Sequence, residues 1–321
     1  MQVPKVLVSR RSSNKRAPIG DSEAHLISAT KDRLAPNSIW RLRGSTESLL
    51  RSTLDRLPGG KVSESEQRYP TTLQGVRAFL DSLFARHFFQ VQDSLLAFVL
   101  HLVASQPMEH GTVCFADVGS GPAVASLALM DLLNCVQEIQ EEHRAGRQRR
   151  IGISVALNDI SEPCLNVGLD LLAAYSRAAR SRLFLERIIP VSVPFPESNT
   201  QLRRIAQLTQ PYDLCCLSYA LAPLKDQSDC NAISQGISRL AEACRYANGR
   251  IVVIQDKFHE SLLSQVCRNL GSVPQEVQIK QAVYDPQNQN TEHTYTFFRS
   301  IYPDSKKDEQ AQNVEQVTVS A

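Results

Sequence analysis

The stretch VCFADVGSGPAVASLALMDLL, residues 113–133, decides the fold. It passes from an apolar segment to a single acid, Asp117, then to Gly119 and Gly121 with Ser120 between them, and then into a second long apolar segment. A strand, a glycine turn and a helix in that order form the junction that open α/β sheets place at the carboxyl ends of their strands, where they bind ligands. Glycine takes the dihedrals a tight turn requires and lets a ligand approach the main chain. The loop therefore reads as a cradle for a nucleotide-type cofactor. A dinucleotide fingerprint would place glycine or alanine at Val124, and a phosphate-binding loop would continue into Gly-Lys-Ser/Thr, which is absent.

On either side the pattern agrees with such a sheet. Downstream, strand-like apolar runs at Ile151–Asn158, Arg187–Val193, Tyr212–Ser218 and Arg250–Asp256 join the run at Thr112–Val118. They alternate with helix-like segments over 123–143, 162–180, 200–209 and 229–247, the signature of parallel strands with crossover helices. The order changes at the end, where EVQIKQAVYD and HTYTFFRSIY flank a polar turn and predict an antiparallel hairpin closing one side of the sheet. Upstream, apolar residues from Leu73 to Leu102 recur at three- and four-residue steps, predicting one or two amphipathic helices over 71–110. Residues 1–70, rich in Ser, Arg, Pro and Gly with short helical patches around 45–56, are expected to be a loosely ordered extension. Residues 111–303 would be the main domain and 304–321 a disordered tail.

The whole chain has 321 residues, 42% hydrophobic and 21% charged, with a net charge of +2. That is the ordinary globular class, with no bias toward nucleic acid or a membrane surface. The most lipid-like run, Leu95–Ala104, is interrupted by His101 and falls far short of the roughly 20 apolar residues a span needs. Eight cysteines are scattered without a CxxC pair or a Cys/His cluster, so reduced, buried thiols in a cytoplasm-like compartment are expected and a metal is not. The basic N-terminus, with five Lys or Arg residues before Asp21, fits a disordered tail or an organelle transit peptide.

With these elements around it, FADVGSGPA resembles motif I of the class I S-adenosylmethionine-dependent methyltransferases. The resemblance implies a Rossmann-like sheet of seven strands, mostly parallel, with an antiparallel terminal hairpin, and S-adenosylmethionine as cofactor. It implies that Asp117 lies near the methionine end of the cofactor and that Gly119, Ser120 and Gly121 let its main chain run past. Ala123 stands where the family often has a third glycine. The second strand ends VALNDISEP, similar to the family's second motif, which implies that Asp159 accepts hydrogen bonds from the ribose hydroxyls, with Ile160 beside it. A carboxylate suits a diol because it is an acceptor with two oxygens. The same residues also read as a helix start, with Ser161 as N-cap and Pro163 in the first turn. YDLCCLSYALAPL resembles motif IV, with Ser218 and Tyr219 at its tip. IIPVSVPFPES lacks the acid that often contacts adenine, so Ser192 or the backbone would substitute.

Methyl transfer from a sulfonium is an in-line displacement that depends on alignment, and a base is needed only if the acceptor must first lose a proton. The SYAL tip is neither the Asn/Asp-Pro-Pro-Tyr of amino-group methylation nor part of a Lys-Asp-Lys-Glu set. Tyr219 and His259 are the candidates for catalytic roles, with Asp256 and Lys257 beside His259. Each has a plainer reading, as an adenosyl packing residue and as a loop histidine. Cys215 and Cys216 read as strand packing, and Tyr284, His293 and Tyr295 as sheet surface. Arg86, His87, Gln90 and Gln92 punctuate the apolar face of the upstream helices and serve either packing or the acceptor pocket. A small molecule or a protein side chain ranks ahead of RNA as acceptor, because no aromatic RNA-stacking motif or one-sided basic patch is present. The rival is a methyltransferase-like protein that binds or assembles without catalysing.

Overall fold

The computed structural model describes residues 19–105, 111–143, 150–180, 182–220, 227–244, 250–256, 260–283 and 291–302. The N-terminal part runs α1 (Ile19–Leu34), β1 (Ile39–Trp40), α2 (Gly44–Leu54), α3 (Glu64–Arg68), α4 (Leu73–Ser82) and α5 (Phe84–Ser105). Then follow β2 (Thr112–Val118), α6 (Val124–His143), β3 (Ile151–Asn158), α7 (Glu162–Ala178), β4 (Leu183–Val191) and α8 (Asn199–Leu208). The chain continues through β5 (Leu214–Ser218), α9 (Gln227–Ala241), β6 (Arg250–Asp256), α10 (Glu260–Leu270), β7 (Gln275–Val283) and β8 (Thr291–Tyr302).

These strands form one eight-stranded sheet in the order β1-β7-β8-β6-β5-β2-β3-β4. Only β8 runs against its neighbours, pairing antiparallel with both β6 and β7. The Rossmann-like sheet is thus the expected one with an added edge strand, β1, parallel to β7 through Ile39 opposite Lys280. The central strands are apolar on both faces because both faces are covered. On β2, Val113 and Phe115 pack with α5, α6 and α7, while Cys114, Ala116 and Val118 pack with α8, α9 and α10. The first crossovers leave β2 toward β3 and the later ones lead from β5 toward β6, so the order reverses between β2 and β5. That switch point opens a crevice at the carboxyl end of β2.

Some boundaries differ from expectation. β4 begins at Leu183, four residues before Arg187, and ends at Val191. It is the sheet edge, so its outward residues are exposed and its pattern is weak, and Pro190 is tolerated there for the same reason. The expected loose extension over 1–70 is corrected for residues 19–70. Leu34 and Trp40 are buried, and α1 and α2 pack on α5, α6 and α7. The attachment is polar as well as apolar. Buried Asp131 of α6 accepts hydrogen bonds from Thr46 (2.9 Å), Gln92 (2.9 Å) and Tyr175 (2.8 Å). Arg43 donates to the Asp131 carbonyl and reaches Glu138 at 2.5 Å. None of these partners is near in sequence, so composition alone could not show the contact.

No helix among the described residues is long and apolar enough to cross a membrane.

Candidate functional site

The glycine loop takes its shape from three left-handed residues: Gly119 (φ 66°), Gly121 (φ 51°) and Ala123 (φ 62°). A Cβ on Gly119 would lie 2.9 Å from the Cβ of Ala220, so the loop after β2 touches the loop after β5. One on Gly121 would meet only the Phe79 ring edge, at 3.9 Å. The main chain there is bare toward the space beneath α4. Ser120 N–H donates to the Asn158 carbonyl at 2.9 Å, which ties the loop to the end of β3.

Asp159 follows. Its carboxylate accepts from Gly121 N–H (2.7 Å) on one oxygen and from Ser161 N–H (2.8 Å) on the other. Each oxygen keeps a lone pair for a further donor. Burial raises its pKa, and the backbone donors oppose that shift. Ser161 also caps α7, accepting from Cys164 N–H at 3.3 Å, so DISEP is a helix start as its residues suggest, and Asp159 stands just before it.

A cavity of about 280 Å³ lies between these loops. Gly119, Ser120, Gly121, Asp159, Ile160 and Ser218 all line it. Ile160 is 65% exposed, an apolar side chain left at the rim. After β4, the lining residues are Val193, Pro194 and Phe195, while Ser192 is exposed and outside the lining. The backbone and apolar side chains thus stand where an acid was missing.

Asp117 lies elsewhere than the other residues of the motif. It sits fully buried behind the loop and does not line the cavity. Its Oδ2 accepts from Ser126 N–H (2.8 Å) and Ser126 Oγ (2.6 Å), capping the first turn of α6, while Oδ1 has no partner. Burial pushes its pKa up to about 7, against the Ser126 bonds. The acid shapes the loop from within.

The far wall is aromatic. Tyr219, at φ 61°, stacks on His87 of α5 with ring centroids 3.7 Å apart, and Phe79 meets His87 edge-on at 5.5 Å. The Tyr219 hydroxyl donates to Gln90 Oε1. Burial, with a smaller contribution from the Arg86 charge, lowers the His87 pKa to about 3, so the imidazole is neutral. Burial raises that of Tyr219. His87 therefore serves the cavity, whereas Gln92 belongs to the Asp131 cluster. His259, Lys257 and Tyr284 lie outside the described residues. Cys215 and Cys216 are buried with pKa values pushed up by desolvation, as packing thiols are.

One part of the lining comes from a segment that the sequence did not mark. Arg68, Tyr69, Pro70 and Thr71 line the cavity from the α3–α4 connection. Glu66 holds them: its carboxylate accepts from Thr71 N–H and Oγ and from Thr72 N–H and Oγ, all at 2.7–2.8 Å. Desolvation opposes ionisation, yet these four donors bring its pKa down to about 2.

No protein-family model matches the chain, and no curated protein matches it in sequence. Solved structures do resemble it. Precorrin-6y C5,15-methyltransferase from Geobacter metallireducens aligns over 78% of this chain and 95% of its own, at 11% identity and a TM-score of 0.39. A SAM-dependent methyltransferase from Agrobacterium tumefaciens aligns over 68% and 61%, at 12% and 0.38. The C-terminal domain of precorrin-6Y C5,15-methyltransferase from Rhodobacter capsulatus aligns over 63% and 85%, at 15% and 0.34. So distant a likeness says nothing of what this chain acts on. The chemistry must come from its own residues.

Proposed function

We propose that this chain transfers a methyl group from S-adenosylmethionine to an acceptor. One observation carries the reading: a carboxylate, Asp159, lines a cavity at the sheet's switch point and is held by the N–H of the glycine loop itself. The residues fit the cofactor by type. Asp159 would take the ribose diol, the bare main chain at Gly119–Gly121 would pass its amino-acid end, and Ile160, Val193 and Phe195 offer an apolar slot for the adenine ring. The cofactor, when bound, supplies an activated methyl on a sulfonium.

What the protein adds is alignment and exclusion of water. Phe79, His87 and Tyr219 present neutral ring faces, which attract a cation. Neither Tyr219, held in a hydrogen bond to Gln90, nor neutral His87 with its pKa near 3 is poised as a base. Among the described residues the aromatic wall therefore offers no base, which suits an acceptor that attacks without losing a proton to it first. A small molecule or a protein side chain suits a cavity of this size, lined by Tyr69 and Pro70, better than RNA does. The eight cysteines, all buried and none in a disulfide, fit a reducing, cytoplasm-like compartment.

The test is calorimetric titration of the full chain with S-adenosylmethionine and S-adenosylhomocysteine. Saturable binding is expected, and Asp159→Ala should weaken it by about 1–3 kcal/mol, the scale of lost hydrogen bonds to a charged group. Failure of folded wild type to bind either compound would overturn the proposal.

A further inference from the structure

Asn158, the last residue of β3, lines the cavity and is almost wholly buried, and its main chain and side chain hold different walls. Its carbonyl accepts from Ser120 N–H in the glycine loop at 2.9 Å. Its side-chain amide donates to the carbonyls of Val191 (2.9 Å) and Val193 (2.6 Å), and its Oδ1 accepts from Ser198 Oγ (3.1 Å). Two carbonyls facing one nitrogen fix the orientation of the amide, and both of its hydrogens are spent. The segment Val193–Phe195, where the sequence lacks the acid that often contacts adenine, is thus fastened to the residue next to Asp159.

The same segment is braced from behind. Ser198 N–H donates to the Pro194 carbonyl at 2.9 Å, closing a turn that leads into α8. On α9, a Cβ at Gly236 would lie 3.0 Å from Phe195 Cζ and 2.6 Å from Pro196 Cβ, so the ring packs directly against that helix. These bonds also decide what the wall can offer a ligand. The carbonyls of Val193 and Pro194 already accept bonds from the protein, Pro194 has no N–H, and Ser192 is exposed outside the lining. Asp159 is the one carboxylate among the described lining residues, and it is held beside the glycine loop. The wall therefore meets a ligand mainly with apolar surface.

We propose that Asn158 is the positioning residue for the cofactor's base: it sets Val193–Phe195 as a wall that takes the adenine ring by its apolar face and leaves its six-amino group unread. The site then distinguishes its cofactor by the ribose and amino-acid ends, at Asp159 and the glycine loop, rather than by that amino group. This inference rests on the methyl-transfer reading, since it assigns the base end of the same cavity.

The experiment compares S-adenosylhomocysteine with the analogue that carries purine in place of adenine and so lacks only the amino group. Calorimetry with the full chain should give dissociation constants within about fivefold of each other, whereas a site built to hydrogen-bond such a group rejects the ligand lacking it by orders of magnitude. Saturation-transfer NMR supplies a second readout, the base protons H2 and H8 against the homocysteine methylenes. Asn158→Asp turns the amide donor into an acceptor facing two carbonyls, so S-adenosylhomocysteine should bind about tenfold or more weakly. Saturation should be lost from H2 and H8 ahead of the methylenes. The bond from Ser120 goes to the main chain of Asn158 and survives the substitution, so a general loosening of the site, which would dim all ligand protons alike, is distinguishable. Ser198→Ala removes the bond to Oδ1 and should show the same base-selective loss in milder form, which carries the test if Asn158→Asp does not fold. A larger preference for the amino-bearing ligand, or saturation lost equally or not at all across base and methylene protons in the folded variants, would overturn the inference. Failure of wild type to bind either compound would instead overturn the methyl-transfer reading on which it depends.

Discussion

Ala123 occupies the left-handed region, where a side chain costs about 1 kcal/mol or more relative to glycine. The strain persists because both sides hold it. Ser120 N–H is fixed to β3, and α7 presses on the loop at Gly168, where an added Cβ would lie 3.0 Å from the Ala123 Cβ and 3.2 Å from its nitrogen. Gly168→Ala should therefore destabilise the protein by about 1–3 kcal/mol through overpacking, read as a lower urea midpoint, and should weaken cofactor binding because the loop must shift. Asp117 acts on the same loop through α6. Its native pKa, about 7, lies above the ordinary 3.8. Between those values the folded state holds a proton that the unfolded state has lost, so stability falls as pH rises from about 4 to 7 and is flat above. Asp117→Asn should abolish that slope in urea titrations across the window. An unchanged slope would mean another group carries it.

At the scale of elements, the α3–α4 connection is a clasp whose lock is one carboxylate. Ser63 caps α3 and Thr72 caps α4, while Glu66 turns forward to the four donors of Thr71 and Thr72. Glu66 has a depressed pKa, about 2 against 4.5, so its contribution is present above 4.5 and is lost as pH falls toward 2. This window and sign are opposite to those of Asp117. The protection of the Thr71 and Thr72 amides, relative to unstructured chain at the same pH, should fall in wild type as pH drops from 4.5 toward 2, and Glu66→Gln should show the lower protection already at neutral pH. Because Tyr69 and Pro70 line the cavity, the same variant should release bound cofactor faster. α7 shows the reverse case, an element legible from its residues: Ser161, Pro163 and the apolar spacing after them specify its start whatever packs nearby.

For the whole molecule, the N-terminal helices and the sheet behave as one body because Asp131 joins α2, α5, α6 and α7. Removing it leaves Thr46, Gln92 and Tyr175 without their acceptor in a buried site. Asp131→Leu should destabilise by about 3–5 kcal/mol. Trp40, the single tryptophan, is buried on β1 against Phe89, at 6.1 Å between ring centroids. Its fluorescence and the far-ultraviolet circular dichroism should therefore report one coincident unfolding transition in wild type. In Asp131→Leu the tryptophan transition should come first; coincident curves there would show that apolar packing alone holds the N-terminal layer.

Local pattern and chain-wide alternation were enough for β2, β3 and β6, whose ends coincide with their apolar runs, and for the antiparallel β8. They also singled out the glycine loop, Asp159, Ile160 and Ser218, which the fold brings together along one cavity, since strand-end residues of a parallel sheet converge by topology. Tertiary structure alone decided the rest. A two-residue strand such as β1 has no period to read, and an edge strand such as β4 has little apolar contrast. Asp117 and Asp159 are both acids at strand ends. One turns under the loop and the other into the cavity, a difference set by where α6 and the glycine turn present their N–H groups. Whether Glu66, His87 and Arg86 face solvent, core or cavity depends on how α3, α4 and α5 settle over the sheet, and that contact joins residues far apart in the chain.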